Sequence, residues 1–221
     1  MTSLGSELSE LLPLALIIAL SPLSIIPAVL ILHTPRPRPS GLLFLVGWLV
    51  GLTGLTAMFV GVSGLLGGVG TTPPWASWLR IVVGVALIVY GVYSWLTRHK
   101  KPHQPGWLRH VTEAGPGKAL MLGAILAVVN PKVLFVCVAA GLAIGSSGLA
   151  PHQVWLATIV FVAAAASTVA LPILGYAVSG DRLDPALTRI KAWMEKHNAA
   201  MVAVILVLIG LLLLYKGIHG L

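Results

Sequence analysis

Two short runs of proline and polar residues interrupt long apolar stretches of the sequence, and they contain the side chains best suited to bind a ligand. The first run is Ser21-Pro22-Leu23-Ser24-Ile25-Ile26-Pro27 and the second is Asn130-Pro131-Lys132. Proline lacks an amide N–H and clashes with the preceding helical turn, so each run predicts a broken helix with freed backbone carbonyl groups. We expect breaks at Pro22, Pro27 and Pro131, and a plain kink at Pro172.

Lys132 is a charged side chain in the middle of an apolar stretch, and no acidic residue lies within any predicted span to pair with it. Because a cation at membrane depth is costly, we expect Lys132 to contact an anionic group such as sulfate, phosphate or carboxylate. A structural lysine that bonds freed carbonyls is the alternative. The other candidate substrate-binding residues, which could equally patch a broken helix or pack helices together, are Asn130, Ser21, Ser24, Thr53 and Ser167.

The composition is that of a membrane protein. Of the 221 residues, 57% are hydrophobic and only 9% are charged, too few to cover a water-exposed surface. The net charge of +8 comes from Lys and Arg in short connections between apolar stretches, a placement that fits membrane topology better than nucleic-acid binding. No catalytic set, cofactor motif or metal site is expected, since His99, His103 and His110 share a loop without suitable co-ligands.

Six segments are apolar and long enough to be transmembrane helices: residues 11–32, 41–66, 78–97, 119–144, 153–178 and 199–218. Eleven of the 14 Lys and Arg residues fall in the connections after spans one, three and five. The positive-inside rule therefore predicts a multi-pass protein of the inner (plasma) membrane with both termini outside the cytoplasm. Gly47 and Gly51 are spaced to let span two approach a neighbouring helix closely.

The sequence also indicates an internal duplication with inverted topology. We predict a first three-helix repeat over residues 1–97, a cytoplasmic linker over 98–118 and a second repeat over 119–221, all in one membrane domain. The two proline runs occupy matching depths in spans one and four, and glycines seven residues apart recur in spans three and six. Interrupted helices at matching positions of inverted repeats point to a transport site near the membrane midplane.

These features resemble a known group of small transporters. The proline-bearing first helix, the Asn-Pro-Lys run in the fourth and the 3+3 duplication are similar to the lysine-exporter superfamily. The run from Ser21 to Pro27, followed by Pro35-Arg36-Pro37, resembles its Gap-like branch, which includes the sulfolipid-addressing protein (Sap) family, and the resemblance covers essentially the whole chain. It implies export of cell-envelope glycolipids or their precursors, often beside a larger lipid exporter. The site that it implies consists of Ser21, Pro22, Pro27, Asn130, Pro131 and Lys132.

Three interpretations of function stay open. The first is an exporter or flippase for an amphipathic, anionic envelope glycolipid, whose acyl chains would lie against apolar walls. The second is an exporter of a small polar solute such as an amino acid. The third is a non-transporting membrane partner of a lipid synthase or exporter, which would dock through residues 98–118 and a surface helix over 183–197. A homodimer is compatible with so small a transporter, but no residue pattern specifies it.

Overall fold

The computed structural model shows an all-helical chain over the residues that it describes. Those residues are 4–65, 81–82, 85, 88–89, 92–93, 95–96, 115–183, 185, 188–189, 192–193, 203–204, 207, 210–211, 214–215 and 218. The α-helices whose bounds the structure describes are α1 (Leu4–Ala19), α2 (Pro22–Ile31), α3 (Pro37–Leu65), α4 (Pro116–Val129), α5 (Pro131–Ser146) and α6 (Pro151–Ser179). A short 3-10 helix, Gly180–Leu183, follows α6. The predicted helical class is therefore confirmed.

Two helical stretches, Pro37–Ser63 and Pro151–Ser179, are each long and apolar enough to cross a membrane. The pairs α1–α2 and α4–α5 pass the same test together, which gives up to four spans if each bent pair is one span. The two long stretches correspond to the predicted spans 41–66 and 153–178. The pairs α1–α2 and α4–α5 correspond to the predicted spans 11–32 and 119–144. The remaining predicted segments lie largely outside the described residues. They are the spans 78–97 and 199–218, the linker over 98–118 and most of the surface helix over 183–197.

The chain forms two compact units. The first consists of Met1–Gly68 and Gln104–Lys191 and contains all six helices defined above. The second consists of Val69–His103 and Ala192–Leu221; its described residues are helical and mostly exposed, with Ala203 and Gly210 buried. Each unit takes segments from both halves of the chain. The predicted repeats are defined by a duplication of the sequence, whereas the two units are defined by contacts in space. The units therefore do not test the repeat boundaries, which stay a prediction.

The first helix begins earlier than the sequence analysis expects. α1 starts at Leu4 rather than at residue 11, and it runs through Pro13. Glu7 and Glu10 therefore lie within it, and Glu7 is buried with only 7% of its surface exposed. The first span was therefore predicted to begin too late, and the helix that contains it does carry acidic side chains.

Pro27 does not end a helix, which corrects the break expected there, and the plain kink expected at Pro172 stays a prediction. Pro27 lies inside α2 and Pro172 inside α6, and both helices continue past them. A proline removes one main-chain hydrogen bond, and a helix tolerates this loss where neighbouring side chains hold it on both sides. Val169 and Ile173, which flank Pro172, are almost completely buried.

Glycines bring α3 into backbone contact with α4 and α5. A methyl group at Gly47 would overlap the carbonyl oxygen of Leu120, and one at Gly123 would overlap that of Phe44. A Cβ on Gly141 would lie 2.8 Å from a carbonyl oxygen of α3. The close approach predicted from Gly47 is confirmed, and α3 forms a rigid frame against both helices that flank the second proline run.

Alanine at Gly47 should destabilise the protein, because its methyl group would overlap the α4 backbone and overpacking costs about 1–3 kcal/mol. Gly54 provides a matched control on the same helix: it is exposed, and a methyl group there would meet no atom within 4 Å outside its own helical turn. Gly54→Ala should be neutral or stabilising, since alanine is favoured over glycine in a helix by about 1 kcal/mol. Free energies of unfolding in mixed detergent micelles measure both. Equal stability of the two variants would contradict the packing.

Candidate functional site

Two helix breaks with the same local backbone define the candidate site. Ser21 (φ −79°, ψ 117°) and Asn130 (φ −70°, ψ 109°) are both extended, and each is the N-cap of a helix whose first residue is proline. A residue before proline is pushed out of the helical region, which explains why the chain turns at both points. The axis bends by 55° between Leu4–Ala19 and Ser24–Ile31, and by 69° between α4 and α5.

At the second break, the N-cap residue itself forms hydrogen bonds with the freed backbone groups. The side-chain oxygen Oδ1 of Asn130 accepts a hydrogen bond of 3.2 Å from the backbone N–H of Lys132. The carbonyl of Asn130 accepts the first bond of α5, from the N–H of Leu134 at 2.9 Å. Asparagine is among the best N-cap residues because its side chain satisfies an N–H that has no partner within the helix. One role of Asn130 is therefore structural, and its side chain is buried.

At the first break, a side chain from a different helix forms a hydrogen bond with a freed backbone carbonyl. The hydroxyl of Thr168, on α6, donates to the carbonyl oxygen of Ala19, the last residue of α1. The N–H of Ser21 returns to the carbonyl of Ile18 at 3.1 Å. Ser21 makes no side-chain cap bond and is buried. Thr168 thus supplies a partner for a carbonyl that the broken helix leaves free, a role that no local sequence pattern predicts.

Some buried polar atoms near α2 and α3 have no partner. The hydroxyl oxygen of Ser24, a residue only 1% exposed, and the indole Nε1 of Trp48, a fully buried residue, form no hydrogen bond within the described part of the chain. Leaving a buried donor unpaired costs about 1–3 kcal/mol, so such atoms in a native fold call for a water or ligand partner. Ser24 is one of the residues predicted to bind substrate, and it lies in the first turn of α2.

Lys132 lies at the start of α5 and is half-buried. Within the described residues it forms no ion pair. The first N–H groups of α2 and α5 lack intrahelical partners, and each helix start carries about half a positive charge. A lysine at such a position is not stabilised by its own helix, which makes the second break a candidate site for an anion.

The helices carrying the two breaks are in contact. α1 contacts α5, and α2 contacts α4, so the two bent pairs pack against each other. Thr53 and Ser167 are not joined to the breaks by any hydrogen bond among the described residues. Thr53 is exposed on α3, and the hydroxyl of Ser167 donates 2.7 Å to the carbonyl of Ala164 in its own helix.

One residue at the site was missed from the sequence: Thr168, whose hydroxyl bonds to the Ala19 carbonyl, is not among the predicted site residues. Buried Glu7, at the other end of α1, lies outside the predicted span 11–32. No group of three His, Cys, Asp or Glu side chains among the described residues could hold a metal ion. His99, His103 and His110, the histidines of the predicted linker, lie outside those residues.

Thr168→Val should destabilise the protein by about 1 kcal/mol, because it keeps the shape of the side chain but leaves the Ala19 carbonyl without its donor. Thr168→Ser retains a hydroxyl and should recover most of the loss. Ser167→Ala is a matched control, since that hydroxyl bonds only to its own helix, and it should change stability by less than about 0.5 kcal/mol. Unfolding in mixed micelles measures all three. A Thr168→Val loss no larger than that of Ser167→Ala would contradict the bond.

Comparisons with known proteins identify the family of this chain. Searches for similar curated proteins and for similar solved structures gave no match. Residues 11–219, nearly the whole chain, match the family described as Sap, sulfolipid-1-addressing protein. The matched range includes both helix breaks and Lys132. The chain is therefore a membrane protein that belongs to the sulfolipid-1-addressing protein family.

Proposed function

We propose that this protein exports or flips an anionic cell-envelope glycolipid, or a lipid precursor, across the inner (plasma) membrane. The observation that carries the proposal is the second helix break, where Lys132 and the start of α5 present positive charge without an acidic partner among the described residues. An anionic headgroup would bind there, with Ser24 and Asn130 nearby on the contacting bent pairs. The lipid's acyl chains would lie along the apolar helices.

Helix lengths favour a location inside the bilayer. α1 has 16 residues and α4 has 14, which corresponds to roughly 24 and 21 Å before each break. With a hydrocarbon core of about 30 Å, both breaks would lie within the membrane if each bent pair is one span. Charge at that depth is costly unless it meets a cavity or a partner, so an ionised Lys132 favours a functional role over a passive one.

The pattern of helix contacts supports an inverted repeat. If α1, α2 and α3 are exchanged with α4, α5 and α6, each contact between these helices maps onto another observed contact. For example, α1–α5 becomes α4–α2, and α3–α4 becomes α6–α1. α3 and α6 are also equal in length, at 29 residues, and both begin with proline. Paired half-helix starts that face an anion at the centre of two repeats are a known arrangement in transporters.

The family description favours a sulfated lipid as the substrate class, since it names sulfolipid-1. A sulfate ester keeps its negative charge at every physiological pH, so it is a persistent partner for an ammonium group. The sparse polarity around the breaks suits a lipid better than a free amino acid, which would need partners for two charges. A small-solute exporter and a non-transporting partner of a lipid synthase or larger exporter are the competing functions.

Purified protein in liposomes should move fluorescently labelled sulfatide, a sulfated galactosylceramide, between leaflets faster than labelled galactosylceramide, which lacks the sulfate. Lys132→Ala should slow sulfatide transfer by roughly tenfold or more, because a charge-assisted hydrogen bond contributes about 1.5–3 kcal/mol. Lys132→Arg keeps the charge and should retain part of the rate. Chemical quenching of the outer-leaflet label measures transfer.

Lys118→Ala is the control for charge removal, since Lys118 is exposed at the start of α4. It should transfer sulfatide at the wild-type rate. Transfer by Lys132→Ala at the wild-type rate would refute the assigned role of Lys132. No transfer by the wild type above protein-free liposomes would refute lipid flipping by this chain alone and favour the non-transporting partner.

A further inference from the structure

A second region of concentrated positive charge lies away from the helix breaks. A cavity of about 630 Å³ is formed where α3 begins and α6 ends. Liquid water occupies about 30 Å³ per molecule, so the space admits a group far larger than a bare ion. Among the residues that line the cavity are Arg36, Arg38, Tyr176, Ser179, Gly180 and Arg182.

The local fold brings the three arginines together. Arg36 and Arg38 flank Pro37, the first residue of α3, and Arg182 lies in the 3-10 helix after α6. Gly180 ends α6 in a left-handed conformation (φ 58°), and its N–H donates to the carbonyl of Tyr176. A Cβ at Gly180 would lie 3.2 Å from Nη2 of Arg38. The positive φ favours glycine at this turn, and the Arg38 guanidinium lies close to the chain there.

The cavity has a surplus of positive charge. Among the side chains that the structure describes, none forms an ion pair or hydrogen bond with the guanidinium groups of these arginines. The start of α3 and the end of α6 carry opposite partial charges of about one half, which offset each other. Asp181 and Asp184 are the acidic neighbours of Arg182 in sequence. If each is counted as one full negative charge, the three arginines still leave one positive charge.

Membrane topology alone does not explain this arrangement. The positive-inside rule is met by lysine and arginine alike and does not require them to converge. Here all three cations that line the cavity are arginines, whose planar forks match phosphate and sulfate oxygens with two parallel hydrogen bonds. The cavity also lies at the ends of the two long apolar helices, which is the level of lipid headgroups when those helices cross a membrane.

We propose that this cavity is a binding site for a phosphate- or sulfate-bearing group, held by the guanidinium groups of Arg36, Arg38 and Arg182. The group is either the headgroup of an anionic lipid or a soluble phosphorylated or sulfated molecule. The site is separate from Lys132, and binding there does not require that the protein transports lipid. Its test therefore measures binding without transport.

The full-length protein is reconstituted in vesicles of phosphatidylcholine with phosphatidylglycerol as a minor component, and native mass spectrometry counts the anionic lipids that it retains. In parallel, protein in a neutral detergent is titrated with sodium phosphate and sodium sulfate, at constant ionic strength set with sodium chloride, while its thermal unfolding is followed. Retained phosphatidylglycerol with no effect of the free anions identifies a lipid headgroup as the ligand. Stabilisation by the free anions identifies a soluble source.

Arg38→Gln and Arg182→Gln should each weaken the observed binding by about tenfold, which corresponds to loss of one charge-assisted contact. Arg189→Gln is the control, because Arg189 is exposed and outside the cavity lining, and it should bind as the wild type does. Arg38→Lys keeps the positive charge that contributes to membrane orientation but lacks the planar guanidinium group, so it should still bind the anion more weakly than the wild type does. This variant provides the test if Arg38→Gln fails to fold. Absence of binding by the wild type, or equal weakening in Arg189→Gln, would overturn the proposal.

Discussion

The need to satisfy backbone hydrogen bonds inside a membrane is the constraint on which this structure depends. A helix that stops in lipid leaves carbonyl and N–H groups without water, at a cost of several kcal/mol for each unsatisfied group. The chain stops two helices, at Ala19 and Val129, and restarts each with a proline that has no N–H to satisfy. At one break the side chain of Asn130 accepts a hydrogen bond from a backbone N–H, and at the other the hydroxyl of Thr168 donates one to a backbone carbonyl.

The same constraint links the packing to the proposed chemistry. Gly47 and Gly123 bring α3 against α4 so closely that the backbones touch, which fixes the position of the helix leading into the second break. Such a contact would hold the start of α5 in one place, and a preorganised site is what the proposed anion binding calls for, since it needs no further ordering cost.

Much of this arrangement could be predicted from local sequence. Ser21-Pro22 and Asn130-Pro131 each determine an extended residue followed by a helix start, because the restriction imposed by proline acts on its immediate neighbour. Gly47 predicted a close helix contact for a similarly local reason. Pro27 was misjudged because the effect of a proline inside a helix depends on what surrounds it. The start of α1 was placed too late because Glu7, Glu10 and Pro13 look like the end of a loop in the sequence, whereas all three lie inside the helix and Glu7 is buried.

Other features depend on residues far apart in the chain. The bond from Thr168 to Ala19 joins residues 149 positions apart, and the cavity lined by Arg38 and Arg182 joins the start of one helix to the end of another. Neither leaves a periodic or spaced pattern, so only the folded structure reveals them. The class of lipid in the proposal comes from the family description, since no motif in the chain encodes it.

The central claim is that the second break is a water-accessible, anion-attracting site, and thiol chemistry tests it most directly. Pro131→Cys, which is exposed and next to Lys132, is made in a Cys137→Ala background, so that no other thiol reacts, and Ser146→Cys, at the exposed end of α5, is the reference. Each is treated in liposomes with an anionic and a cationic methanethiosulfonate reagent, with rates normalised to free cysteine. The account predicts that the cysteine at position 131, beside the retained lysine, reacts several-fold faster with the anionic reagent, and that the reference does not. No reaction at position 131, or a preference for the cationic reagent there, would contradict it.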